Sequence, residues 1–197
     1  MKLLTVGVPC YNSQDYMEKC VDSLLAGGER VEIVIVDAAP RTAPARSRTP
    51  TPRYTPRSSR SSIRKTAATA RASTRACAMP RKYFKTVDSD DWVQDFSRFL
   101  DTLEEIDRQG GVDLFVTNYY YEHADGKGNR SINFSNALPE DRIFTWAETR
   151  PFRVDQILMI HACTFRTPLR AVCLPGEGGR RVVRLMYKLA QAVVRFN

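Results

Sequence analysis

Two nearly unbroken apolar runs, Leu3-Leu-Thr-Val-Gly-Val-Pro9 and Val31-Glu-Ile-Val-Ile-Val36, enclose a stretch whose apolar residues recur every three or four positions. The runs read as strands too apolar for a sheet with one wet face. Between them, Tyr16, Met17, Cys20, Val21, Leu24 and Leu25 share one helical face. Asn12 or Ser13 can cap that helix, and Gly27-Gly28 stops it. Strand, amphipathic helix and strand in so short a span predict a βαβ unit, hence a parallel sheet covered on both faces. The fold class expected is α/β.

Further elements follow after a break. Residues 82–87 predict a third apolar strand, and Val93, Phe96, Phe99, Leu100, Leu103 and Ile106 a helix ended by Gly110-Gly111. Residues 112–122 read as one long strand, and Asp125 to Asn129 as a turn toward a hairpin partner around Ser131 to Phe134. Ile143 to Ala147 and Gln156 to Phe165 hold regular structure of undecided type.

The break itself is unlike the rest. Residues 38–82 contain ten Arg and two Lys with no Asp or Glu, a local charge of +12, whereas the whole chain carries +8, so all other residues together sum to 8 − 12 = −4. The segment lacks Gly, Leu, Val, Phe and Trp and holds six of the eleven prolines. With so little apolar surface to bury, residues 38–81 are expected to be a disordered basic insert. Twelve uncompensated positive charges could bind a polyanion in a salt-sensitive, sequence-independent way, the alternative non-enzymatic reading. No specific nucleic-acid partner is expected, because this stretch interrupts a sheet-forming unit. Its Arg, Ala, Pro, Ser and Thr alphabet is also what a GC-rich gene yields when read one base out of frame. If that is its origin, the DNA around codons 37 to 82 encodes a Gly-containing strand-helix-strand pattern in another frame; finding none would dispose of the idea.

Five scattered cysteines without Cys-x-x-Cys spacing argue against a zinc site or disulfide framework and point to a reducing, cytoplasmic compartment. No run approaches the length of a membrane span. The histidines, His123 and His161, are expected to be satisfied polar residues, and Tyr119-Tyr120-Tyr121 to be half core and half surface.

The chemistry concentrates at Val87-Asp-Ser-Asp-Asp-Trp92. In an extended backbone Asp88 and Asp90 point to one side, so they can converge on a hard divalent cation, Mg²⁺ or Mn²⁺. An acidic turn capping the next helix explains the same residues equally well.

Taken together, Val8-Pro9-Cys10-Tyr11-Asn12, the helix to Leu25, Ile33-Val-Ile-Val-Asp37 and Asp88-Ser-Asp-Asp91 resemble, in order and spacing, the family 2 glycosyltransferases. The resemblance implies a GT-A-like, mostly parallel nucleotide-binding sheet flanked by helices. It also implies transfer of a sugar from a nucleotide-diphosphate donor, a UDP-sugar, to a saccharide or glycolipid acceptor. By the same likeness Pro9, Tyr11 and Asn12 line the nucleotide site, Asp37 holds the base, Asp88 the ribose, and Asp88 with Asp90 the metal. The domain is expected over residues 1–167, with 168–197 an atypical basic tail that reads as an amphipathic helix suited to peripheral contact with the inner face of a membrane. Two departures stand out. Family members continue Val-Asp-Asp-Gly-Ser where this chain has Val36-Asp37-Ala38-Ala39-Pro40, and their Glu-Asp pair with the catalytic base has no counterpart here, Glu177 being the one acid after Asp155. The catalytic residue is therefore unassigned, and impaired activity is expected.

Overall fold

The computed structural model describes residues 2–10, 13, 17–37, 62–67, 82–123, 127–140, 142–167 and 193–196. The chain divides into two compact units, Met1–Glu104 and Glu105–Asn197.

The first unit is a parallel sheet. Strand β1 (Leu4–Cys10) pairs in parallel with β2 (Val31–Asp37) on one side and β4 (Tyr83–Thr86) on the other, and β2 pairs in parallel with β3 (Ser62–Ala67). The order is therefore β3-β2-β1-β4. Pro9 does not end β1, which runs one residue further to Cys10 opposite Asp37. Leu4, Val6 and Val8 lie in register with Val31, Ile33 and Ile35, so one face of the sheet carries six buried aliphatic side chains. Each contributes roughly 1.5–3 kcal/mol by leaving water. Of the basic segment, Ser62–Ala67 forms β3, and the other positions from 38 to 81 lie outside the described residues.

Helix α1 (Met17–Leu25) buries Met17, Cys20, Val21 and Leu24 of the predicted apolar face, whereas Leu25 is half-buried and Tyr16 lies outside the described residues. Past the last residue of the helix, Leu25, the chain turns at Gly28, whose φ of +54° favours a residue without a Cβ. Helix α2 (Phe96–Arg108) starts three residues later than the apolar pattern predicts. Asp95, at φ +47°, turns the chain just before it and accepts a hydrogen bond from the Arg98 amide through Oδ1 at 3.3 Å. Phe96, Phe99, Leu100, Leu103 and Ile106 are its buried face. Its end is closed by a bond from the Gly111 amide to the Ile106 carbonyl, 2.9 Å, with both Gly110 and Gly111 at positive φ.

In the second unit the predicted long strand is two strands in two sheets. β5 (Leu114–Thr117) lies between antiparallel β8 (Cys163–Arg166) and parallel β9 (Val193–Phe196), whereas β6 (Tyr119–Tyr121) forms an antiparallel hairpin with β7 (Arg130–Ile132). Asn118 makes the break: its Oδ1 accepts the amide of Phe134 at 3.1 Å. Leu114, Val116, Ile132, Phe134, Leu138, Phe144, Cys163 and Phe165 form the core of this unit. Within the tail, Val193 and Val194 belong to a strand and not to the helix read from the sequence; residues 168–192 lie outside the description. Among the described residues no helix is long and apolar enough to cross a membrane.

Candidate functional site

Parallel strands deliver their carboxyl ends to one edge of the sheet, where open α/β folds leave room for ligands. In the first unit that edge receives Pro9 near the end of β1, Asp37 as the last residue of β2, and Asp88 two residues beyond β4. With β1 between them, the strands carrying Asp37 and Asp88 are about 10 Å apart, two strand spacings. Pro9 is half-buried. Tyr11 and Asn12 lie outside the described residues.

The acidic residues owe their grouping to a turn. The Val87 amide still donates to the Gly7 carbonyl at 3.1 Å, continuing the contact of β4 with β1, and then the chain leaves the sheet. The Asp91 amide donates back to the Asp88 carbonyl at 3.0 Å, closing the turn. It brings a carboxylate oxygen of Asp88 and one of Asp91 within 4.8 Å of each other. Both residues are half-buried, while Asp90, at the tip, is exposed. The strand alternation that singles out Asp88 and Asp90 stops at Thr86, so the three-residue spacing of the turn selects Asp91 as a near neighbour. That spacing was visible in the sequence as a helix-cap pattern but carries no signature of its own.

Beneath the turn, the Cys20 thiol donates to the Asp88 carbonyl at 3.5 Å and the Ser89 hydroxyl bonds Ser13 Oγ at 2.7 Å. Burial pushes the Cys20 thiol up to about 12, with the neighbouring Cys10 thiol and the carboxylates of Asp91, Asp88 and Asp90 adding to the effect. Of these causes, the three carboxylates are the ones that attract a cation. Cys10 and Cys20 are buried free thiols, as small apolar residues would be.

In the second unit, His161 packs edge-on against Tyr119 with centroids 5.1 Å apart, and Tyr119 donates to the Ile157 carbonyl at 3.0 Å. Tyr119 is half-buried against the core of this unit, and Tyr120 and Tyr121 are exposed, so the tyrosine run lies mostly on the surface and not half in the core.

The sequence model of Glycosyl transferase family 2 matches residues 5–172. The chain belongs to that family. Solved structures share its fold. TarS 1-349 of S. aureus in complex with UDP-GlcNAc superposes with a TM-score of 0.67 at 20% identity, covering 100% of this chain and 56% of that one. The same protein in complex with UDP gives 0.65 at 19% identity, covering 100% and 58%. TarS itself gives 0.64 at 20%, covering 100% and 35%. The chain thus spans between about a third and three fifths of the length of these structures. Among curated proteins, none matches its sequence. A family 2 glycosyltransferase with the GT-A-like α/β fold is what the sequence motifs implied, and the family match runs across the basic segment as well as the elements on either side of it.

Proposed function

We propose that the carboxyl edge of the β1–β4 sheet binds a nucleotide-diphosphate sugar, a UDP-sugar, and that the chain transfers the sugar to a saccharide or glycolipid acceptor. The observation that carries this reading is the pairing of Asp88 and Asp91 in one turn at the same sheet edge as Asp37. Family membership and the UDP-GlcNAc and UDP bound by TarS support it.

The donor set fits a hard divalent cation, Mg²⁺ or Mn²⁺: two half-buried carboxylates offer oxygens to one point, and a cation of this class keeps open positions for phosphate oxygens. Asp88 and Asp90 are the pair that motif order assigns, and Asp91 is the partner that the turn adds. A cation bound there supplies charge neutralisation for a departing diphosphate. Asp37 accepts hydrogen bonds from the base, Asp88 reaches the ribose, and Pro9, Tyr11 and Asn12 wall the pocket. The turn costs little to organise on binding, because its backbone is already bonded to β1 and α1. No residue is assigned as the base that takes the acceptor proton, so binding of donor is expected to outlast turnover.

Saturation-transfer NMR with UDP-GlcNAc tests the reading. Signal transfer to the uridine and sugar protons that is lost on chelation by EDTA is expected. Absence of transfer to any nucleotide-sugar would remove it.

A further inference from the structure

We infer that helix α1 holds the acidic turn in shape from both of its flanks, and that Lys19, acting through Trp92, is a positioning residue for Asp88 and Asp91. The inference deepens the proposed donor site and rests on it.

Two contacts secure the near flank, Cys20 Sγ to the Asp88 carbonyl and Ser13 Oγ with Ser89 Oγ. Two more secure the far flank. Ser23 Oγ accepts the Val93 amide at 3.1 Å while donating to the Cys20 carbonyl at 2.7 Å, and Lys19 Nζ lies 3.0 Å from the centroid of the Trp92 ring. Ser23 stands three residues from Cys20 and four from Lys19, so the three lie along one edge of the helix. Their contacts fall on residues 88, 92 and 93, bracketing Asp90 and Asp91. A turn gripped at one end only would let its carboxylates separate under their own repulsion. Gripped at both ends, it presents them together before any cation arrives, and a cation then orders less on binding.

Trp92 is 38% exposed, so the Lys19 contact is a surface cation–π pair and not part of the core. Its loss should loosen the turn while leaving global stability nearly unchanged. This separates positioning from ordinary structural support, which would move both together.

The test uses the full chain and Mn²⁺ alone. Electron paramagnetic resonance measures Mn²⁺ affinity for the parent, Lys19→Met and Lys19→Arg; amide hydrogen exchange follows residues 88–93 in the same proteins and in Ser23→Ala. Lys19→Met is expected to bind Mn²⁺ more weakly, by up to about two- to fivefold, the size of a surface cation–π contact, with faster exchange over 88–93 and a melting temperature within about 3 °C of the parent. Lys19→Arg, which keeps a cation over the ring, should recover parental affinity. If the parent binds Mn²⁺ and Lys19→Met matches it, Lys19 does not position the carboxylates, whatever exchange shows. If the parent binds no Mn²⁺, the cation reading falls, and exchange decides alone: acceleration in Lys19→Met and Ser23→Ala upholds α1 as the holder of the turn, and parental rates reject it.

Discussion

Gly27 and Phe96 meet with no room for a methyl group between them. A Cβ on Gly27 would stand 2.8 Å from Cε1 of Phe96, 2.5 Å from Cγ2 of Val31 and 3.1 Å from Cδ1 of Leu100. The end of α1, the start of β2 and the first turn of α2 converge there. Gly27→Ala should therefore destabilise the protein by about 1–3 kcal/mol through overpacking, although Gly27, at φ −70°, has backbone angles any residue accepts. A denaturant midpoint equal to that of the parent would show that this junction yields.

The Cys20 thiol, pushed up to about 12 by burial and then by its acidic neighbours, should resist alkylation in the folded protein at pH 8. Peptide mapping after iodoacetamide treatment should find it unmodified until denaturant is added. The sign of the pH effect follows from the raised value. Below the ordinary thiol value of 9.0 the residue is neutral whether folded or unfolded; between 9 and about 12 only the unfolded chain ionises, so stability should fall as pH rises through that window. Alkylation at the unfolded rate at pH 8 would contradict the burial.

Asn118 should matter more than its place between two strands suggests. Replacing it with Ala leaves the amide of buried Phe134 without the Oδ1 acceptor, a loss of about 1–3 kcal/mol. Thermal denaturation of Asn118→Ala measures it, and an unchanged midpoint would mean that water replaces the side chain.

How much of this was legible beforehand varies with the kind of signal. β1, α1, β2 and β4 follow from apolar runs and three-and-four spacing, because burial on both faces of a parallel sheet leaves a near-continuous apolar stretch. Asn118 hid the break between β5 and β6: one polar residue inside an apolar, tyrosine-rich run reads as part of the strand, and its partner Phe134 is distant in sequence. The late start of α2 was hidden for a similar reason, since the Val93 amide bonds Ser23 of α1 and Asp95 takes a positive φ, neither of which a periodicity reveals. At the site, the edge position of Asp37 and Asp88 followed from motif order. The proximity of Asp91 did not, because it depends on where β4 stops.

The basic segment gave a composition and no periodicity. Ser62–Ala67 pairs with β2 through its backbone, Ile63 opposite Ile33 and Thr66 opposite Val36, and backbone pairing leaves little trace in residue type.

The central claim is that the acidic turn holds a cation that in turn secures a pyrophosphate. Isothermal titration of UDP in the presence of Mn²⁺ tests it most directly, comparing the parent with Asp88→Asn, Asp90→Asn and Asp91→Asn. The account predicts that Asp88→Asn and at least one of the other two weaken binding about tenfold or more, the scale of a lost charge-assisted contact, and that removing Mn²⁺ does the same to the parent. Heats indistinguishable from the parent in all three variants would contradict it.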